Sequence, residues 1–375
     1  MILAAVPALT ARRPRYGGTL VVEIGAAVDS VDPYPAVGPS GETNAKAQIA
    51  SLVYDHRNSD GTFSDPGPFR IEEWEPGKHA LLAANDDYKA GRPFVDAIEI
   101  QMGRGAADRV IDLELGKADL TEVPVDMARR AAASGVRISA SNADELIALK
   151  FSGSDPEAGD ARIREAISCS IDRAAIVNFI LQKEGEPAGG LLPQWSSGTA
   201  FLFTTRRDLA RAKELRSQIN PFPPIVLGYD SDDPLSHAIG ERIVVNARDA
   251  GISITAQGIS KTGALSKAKA RLVRLEMPSP EPRATLARFL QRLDPTRALP
   301  ENDDPLLDPA TPEQIYERET AAVHSYSVIP IAWIPHVYGM SARVRDWKTP
   351  GPGESWPLAD VWLDQTDAQA EKGTP

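Results

Sequence analysis

Hydrophobic positions along the chain repeat with two periods, the two-residue spacing of strands and the 3.6-residue spacing of helices. The clearest example begins with a β-branched apolar run over residues 225–229. Asp233 and Pro234 follow, and these residue types are preferred at a helix N-cap and first turn. The predicted helix ends at Gly251, and residues 252–256 alternate as a second strand. Strand, helix and strand of these lengths predict a right-handed parallel crossover, so the chain is an α/β protein.

Shorter patterns of the same kind occur through the rest of the chain. We predict strands over residues 19–24 and 97–102, and a hairpin formed by residues 69–74 and 80–85. A helix is predicted over residues 106–115, where Gly116 is a natural stop. Loops rich in proline and glycine separate these elements, and none has the length of a flexible linker.

The composition of the chain excludes several classes of function but says less about the fold. The 375 residues carry 41 basic and 52 acidic side chains, which gives a formal charge of −11 and a pI near 5.1. This balance argues against a nucleic-acid partner and against an anionic membrane surface, because both attract basic faces. The single cysteine, Cys169, excludes a disulfide framework and every cysteine-based zinc or iron–sulfur site.

The N-terminus resembles an export signal. Residues 2–11 are apolar and rich in small side chains, as in the core and cleavage end of a secretory signal, although no basic segment precedes them. A frayed terminus is the alternative interpretation. The sequence contains no run of about 20 apolar residues, which is the length that a helix needs to span a bilayer. We therefore expect an exported protein, with residues 1–16 signal-like or disordered and a disordered polar tail over residues 365–375.

The sequence offers little catalytic machinery. The five histidines are scattered without metal-ligand spacing, and neither a nucleophile elbow nor a phosphate-binding loop is present. Cys169 lies in an apolar-periodic helix over residues 162–171, which is typical of a small buried hydrophobe. We expect no enzymatic activity, no cofactor and no metal. A hydrolase is the least favoured class, because no nucleophile–base pair is visible.

Aromatic residues, in contrast, concentrate in loops and late strands, where they suit stacking on a ligand without chemistry. Core packing is the competing explanation, and we expect it to hold for most of them, including some of Trp347, Trp356 and Trp362. The residues concerned are Trp195, Trp333, His336, Tyr338, Trp347, Trp356 and Trp362.

Several blocks together resemble a known family. They are GPFRIEEWEPG at residues 67–77, LAANDDY at 82–88, GRPFVD at 91–96, LGKADL at 115–120, DARIREAISCSIDRAAIV at 160–177, GEPAGGLLP at 185–193, IY at 315–316 and VIPI at 328–331. Their content and order are similar to those of family 5 extracellular solute-binding proteins, the receptors of peptide, dipeptide and nickel ABC importers. No single block is specific, but the ordered series is.

The resemblance implies a two-lobed clamp of the type II periplasmic-binding-protein class, with mixed sheets and two hinge strands. Lobe I would comprise residues 17–148 and 336–364, and lobe II residues 149–335. The hinge strands would be residues 146–151 and 328–334. It also implies a monomer that captures a solute and docks on a membrane permease by hinge closure. A scaffold that has left transport and acts as a sensor or partner-binding module is the alternative.

Two features depart from the family pattern. The extra domain that relatives carry after the helix matching residues 44–54 is reduced to a short segment, so residues 56–65 should form an outer loop beside a more open cleft. The aspartate that holds a peptide's ammonium in many relatives is replaced by Pro278. Glu276 is the one plausible substitute, since two positions along a strand keep the same face.

If Glu276 does not bind an ammonium, we expect a neutral or anionic solute that stacks on Trp195 or Trp333 and pairs with Arg274. The complete set of expected ligand contacts consists of Trp195, Arg274, Leu275, Glu276, Ser279, Trp333, His336, Tyr338, Ser152 and Asp32.

Overall fold

A computed structural model describes residues 13–31, 40–57, 63–151, 160–260, 268–294 and 311–364. The predicted export signal, Asp32, Ser152 and the C-terminal tail lie outside these residues. Within the described ranges no helix is both long enough and apolar enough to cross a membrane.

One mixed sheet dominates the described structure. Its strand order is β11-β10-β12-β8-β13-β7-β1-β6-β5-β4, and β9 pairs with β13 at one side. The strands are β1 (Thr19–Glu23), β2 (Tyr54–Arg57), β3 (Phe63–Pro66), β4 (Phe69–Glu75), β5 (His79–Ala84), β6 (Ala97–Gln101), β7 (Leu120–Glu122), β8 (Arg137–Phe151), β9 (Glu186–Pro187), β10 (Ile225–Asp230), β11 (Ile254–Ile259), β12 (Ala270–Glu276), β13 (Val328–Met340), β14 (Val344–Arg345) and β15 (Trp362–Leu363).

Helices connect and cover these strands. They are α1 (Ser40–Val53), α2 (Ala106–Glu114), α3 (Ala128–Ala133), α4 (Ala161–Ser170), α5 (Arg173–Ala175), α6 (Gln194–Ser197), α7 (Leu209–Ser217), α8 (Pro234–Asp249), α9 (Pro282–Leu293) and α10 (Pro312–His324).

The predicted crossover is confirmed. Strands β10 and β11 are parallel, and α8 connects them. The carboxylate of Asp233 caps α8 by accepting a 3.0 Å hydrogen bond from the Leu235 amide, and Pro234 occupies the first turn. Gly251 has a φ of +75°, a left-handed conformation that favours glycine after a helix. The second strand begins at Ile254 rather than at residue 252.

The predicted hairpin of β4 and β5 is also present. The predicted outer loop over residues 56–65 is wrong at its two described ends, which are strands, and residues 58–62 lie outside the described part of the chain. Strands β2 and β3 form a two-stranded antiparallel ladder in which His56 lies opposite Ser64. This pairing provides hydrogen-bond partners for backbone groups of β2 and β3, which in a loop would be hydrogen-bonded to water. Gly67 then packs directly on α1, and its amide donates to the Val53 carbonyl at 2.7 Å.

Strands β8 and β13 pair along most of their length and link the two halves of the sheet. Leu149 lies opposite Ile329, so the predicted adjacency of residues 146–151 and 328–334 is confirmed. A hydrophobic cluster on one side contains Leu20, Leu82 and Ile98, and another beside β8 contains Leu149 and Ile239.

Leu149→Ala should lower the free energy of unfolding by about 2–5 kcal/mol, because a fully buried leucine loses both burial and packing. Urea denaturation followed by circular dichroism measures this change. Leu115→Ala is the control, since that side chain is 64% exposed and its loss should stay within about 0.5 kcal/mol. Equal effects of the two variants would contradict the placement of Leu149 in the core.

The two halves of the sheet run in opposite directions. Strands β6, β1 and β7 are mutually parallel, as are β11, β10 and β12. Because β7 is antiparallel to β13, β13 to β8, and β8 to β12, the two sets are antiparallel to each other. The last residue of β7, Glu122, lies opposite Tyr338, and the last residue of β12, Glu276, lies opposite Glu145. The carboxyl ends of the two sets therefore face each other at the middle of β8 and β13.

Candidate functional site

The facing carboxyl ends meet at an irregular segment of β8 and β13, which we call the junction and define as residues 141–145 with residues 334–338. The ladder shifts register between Ile334 and Pro335, and again between Pro335 and Val337. Such bulges bend strands and redirect side chains, and they are frequent beside functional sites. The bulge at Asp144 is fixed by its carbonyl, which accepts a 2.9 Å hydrogen bond from the Met277 amide.

One face of β8 and β12 changes from apolar to charged on reaching the junction. Ile147 and Leu149 on β8 and Leu272 on β12 are buried in the hydrophobic core. Two residues further along each strand, the same face presents Glu145 and Arg274. Side chains two positions apart on a strand share a face, so the charged side chains that follow the apolar ones lie where the two strand sets meet.

Glu145 and Arg274 form a two-bond ion pair. The Arg274 Nε and Nη2 atoms lie 2.7 and 2.5 Å from the two carboxylate oxygens of Glu145, and Nη1 lies 3.4 Å from Asp233. Burial alone would raise the pKa of Glu145, but the charge of Arg274 outweighs it and holds that pKa below its ordinary value. The guanidinium is thus engaged by protein carboxylates.

Glu276 lies directly opposite Glu145 in the ladder. Among the described residues its carboxylate makes no hydrogen bond and no ion pair. Burial, and then the negative charge of Glu145, raise the pKa of Glu276 to about 7. This carboxyl group is therefore poised to exchange a proton near neutral pH.

His336 projects from β13 at the same level. Its Nδ1 atom lies 2.8 Å from the Asp144 carboxylate, and its amide donates to Ser141 Oγ at 2.9 Å. Burial would lower the pKa of His336, but the Asp144 hydrogen bond and the charges of Glu122 and Glu145 raise it to about 10. The imidazole is consequently protonated and paired at neutral pH.

Two more carboxylates approach from the β7 side. Glu122 ends β7 and acts electrostatically on His336, Arg274 and Glu276. Asp126, in the turn before α3, has a pKa raised mainly by burial and then by Asp233 on the opposite side. The junction thus combines six carboxylates with the cations of Arg274 and His336.

Of the predicted ligand contacts, the structure brings Arg274, Glu276, His336 and Trp195 to the junction. Trp195 is 38% exposed, and its indole Nε1 donates a 2.8 Å hydrogen bond to the Ala143 carbonyl. Ser279 lies three residues beyond β12, where its hydroxyl accepts from the Glu281 amide at the start of α9.

Three other predicted contacts are buried. Trp333 is 2% exposed and packs 6.2 Å, centroid to centroid, from Phe289. Leu275 shares this cluster, because both residues occupy the face opposite to Glu145. Tyr338 packs on Trp347 at 5.2 Å. These positions correct the expectation that Trp333 offers a stacking face, since its ring has no free surface.

The sequence reasoning missed Glu122, Asp126, Asp144, Glu145 and Asp233 as members of one cluster. The available signal was the pair Asp144–Glu145 at the start of an otherwise apolar strand run. Their partners depend on strand register, which a single sequence does not specify. Within the described ranges no three His, Cys, Asp or Glu side chains are arranged so that they could hold a metal ion.

Similarity to known proteins identifies the family of this chain. Residues 33–279, about two thirds of the chain, match the family model "Bacterial extracellular solute-binding proteins, family 5 Middle". The chain belongs to this family.

Individual relatives of this family 5 chain are distant. It is 29% identical over 123 residues to the oligopeptide-binding protein AppA of Bacillus subtilis, covering 32% of this chain and 23% of AppA. It is 25% identical over 172 residues to the probable D,D-dipeptide-binding periplasmic protein DdpA of Escherichia coli, covering 45% of this chain and 33% of DdpA. The matches thus span a quarter to a third of these relatives' lengths.

The fold extends further than the sequence similarity. The crystal structure of the ABC transporter substrate-binding protein CtaP from Listeria monocytogenes superposes with a TM-score of 0.74 at 14% identity, over 93% of this chain and 100% of that one. The fold is that of the two-lobed periplasmic binding proteins, which confirms the predicted class.

Proposed function

We propose that this chain is the extracytoplasmic binding component of an ABC importer, which captures a small solute between two lobes and delivers it to a membrane permease. The observation that carries the proposal is the junction, where the carboxyl ends of two opposed sets of parallel strands face each other within a family 5 fold. Ligands of α/β proteins bind at such strand ends.

The proposed lobes are residues 17–148 with 336–364, and residues 149–335, and the chain acts as a monomer. The bulges of β8 and β13 are then the hinge, because irregular strand segments absorb backbone rotation more easily than continuous ladders. The charged residues sit at this hinge, so a solute that engages them would favour the closed form over the open one.

The charge distribution supports a solute with a positive group. Glu145 and Asp233 engage Arg274, and Asp144 engages His336, whereas Glu276, Glu122 and Asp126 form no salt bridge among the described residues. A desolvated carboxylate is stabilised by a cationic partner. Because Arg274 is already paired, an anionic solute would have to displace Glu145 first.

Native mass spectrometry of protein purified without refolding tests the proposal. We expect a bound species of low mass that disappears after dialysis under partly denaturing conditions. Small-angle scattering should then show a smaller radius of gyration when the solute is returned. Absence of any adduct, together with no scattering change on adding a periplasmic extract, would reject solute capture.

A further inference from the structure

A buried carboxyl group on α10 takes no part in the charge cluster at the junction. Glu319 is fully buried, and its Oε1 atom accepts hydrogen bonds from the Leu191 and Leu192 amides at 2.5 and 2.9 Å. Its Oε2 atom is buried without a hydrogen-bond partner among the described residues. Glu319 is therefore the side chain that holds the 189–192 turn to α10.

This turn fits closely around the carboxyl group. A Cβ atom added to Gly190 would collide with Glu319 Oε1 and with the Phe203 ring. A Cβ on Gly189 would approach the Phe203 carbonyl to 2.8 Å. The two glycines thus allow the backbone to reach the carboxyl group, and the turn cannot shift without losing both hydrogen bonds.

The same turn leads directly to the junction. Trp195 follows Leu192 by three residues, with Pro193 between them, and its indole is hydrogen-bonded to the Ala143 carbonyl. Ser196 donates from its hydroxyl to the Pro280 carbonyl at 3.0 Å, which joins α6 to the segment between β12 and α9. The position of Trp195 therefore depends on the turn that Glu319 anchors.

We propose that Glu319 is a positioning residue that, in its protonated form, holds the 189–192 turn and so fixes Trp195 at the junction. Ionisation spreads a negative charge over both carboxylate oxygens, of which Oε2 is buried without a hydrogen-bond partner among the described residues, and opening of the turn hydrates this oxygen. The proposal deepens the proposed function, because Trp195 belongs to the proposed solute site.

The electrostatic surroundings agree with this role. Burial raises the pKa of Glu319 to about 7, although the two amide donors act to lower it. Helix α10 packs on α9 and β13, whose titratable groups are Arg283, Arg288, Arg292, His336 and Tyr338. None of these groups contributes to the raised pKa of Glu319.

The sign of the pH dependence follows from linkage. The closed turn binds the proton more tightly than the open turn, whose carboxyl group has an ordinary pKa near 4.5. The closed form is thus most stable below about pH 4.5 and loses stability as the pH rises to about 7. Between pH 5 and pH 8 the equilibrium constant for closing the turn should fall by roughly two orders of magnitude.

Hydrogen exchange measured by NMR tests this inference without any solute. After correction for the intrinsic rate, protection of the Leu191 and Leu192 amides and of the Trp195 indole should fall by up to about 100-fold from pH 5 to pH 8. Glu319→Gln retains an acceptor and should make this protection independent of pH. Glu317→Gln, an exposed neighbour on the same helix, should behave as the wild type.

Protection that stays constant in the wild type, or that declines equally in Glu319→Gln, would overturn the proposal. If Glu319→Gln does not fold, carbon-13 titration of the wild-type Glu319 carboxyl decides, with a midpoint near 7 expected and a midpoint near 4.5 contradicting the proposal. Neither measurement depends on solute capture, so failure of this inference and failure of the proposed function remain distinguishable.

Discussion

Glu276→Gln should weaken binding of a solute that carries an ammonium group by at least about 10-fold, and by up to about 100-fold. The variant keeps the shape of the side chain but removes the carboxylate that lies opposite the ion-paired Glu145 and forms no salt bridge of its own among the described residues. Hydrogen bonds to charged groups contribute about 1.5–3 kcal/mol, which corresponds to this range. Calorimetric titration with mixtures of di- to pentapeptides, free or N-acetylated, measures the effect.

The pH dependence provides a second measurement of the same interaction. A cation prefers ionised Glu276, whose pKa is raised to about 7, so the affinity for the protonated form of the solute should rise from pH 6 to pH 8 by about 10-fold, and binding should release a proton below pH 7. Glu276→Gln should abolish that part of the profile. The Glu319 effect has the opposite sign, because ionisation of Glu319 opens the turn.

Glu72→Gln is the matched control, since it removes one exposed carboxylate from β4 at the far edge of the sheet. Micromolar or tighter binding that requires a free N-terminus and survives Glu276→Gln would show that another group receives the ammonium. Equal binding of free and acetylated peptides would show instead that the solute needs no positive group.

The predictable part of the fold is the part encoded locally. The crossover through Asp233, Pro234 and Gly251 combines a strand pattern, a capping residue and a stop signal, each of which acts within a few residues. The segment over residues 56–65 contains the turn pair Asp60-Gly61 but no clear strand pattern, and the pairing of β2 with β3 competes with solvation of a loop. Propensity alone does not decide between these outcomes.

The candidate site was harder to predict, because it depends on register. Trp333 and Glu145 both lie on strands that reach the junction, yet Trp333 points into a hydrophobic cluster and Glu145 toward Arg274. One residue of slip exchanges the two faces of a strand, and the bulges at Asp144 and Pro335 introduce such slips. The aromatic pattern therefore pointed to a strand that reaches the junction, but Trp333 lies on its buried face.

Arg274→Met should destabilise the protein by about 2–3 kcal/mol at pH 7. The substitution leaves the carboxylate of Glu145, whose side chain is only 5% exposed, without its cation. Breaking a fully buried pair costs about 3–5 kcal/mol, and the Arg274 side chain retains 39% exposure, so we expect a smaller effect. Urea denaturation at pH 7 measures the free energy of unfolding.

A double-mutant cycle separates the ion pair from simple loss of packing. Glu145→Gln combined with Arg274→Met should recover much of the lost stability, because no buried charge then remains unpaired. Since Arg274 lowers the pKa of Glu145, the contribution of the pair is present above the ordinary pKa of glutamate and disappears as the pH falls. Additive effects of the two substitutions, unchanged at low pH, would mean that Arg274 stabilises β12 through its methylene stem alone, and Arg274 would then be available to an anionic solute.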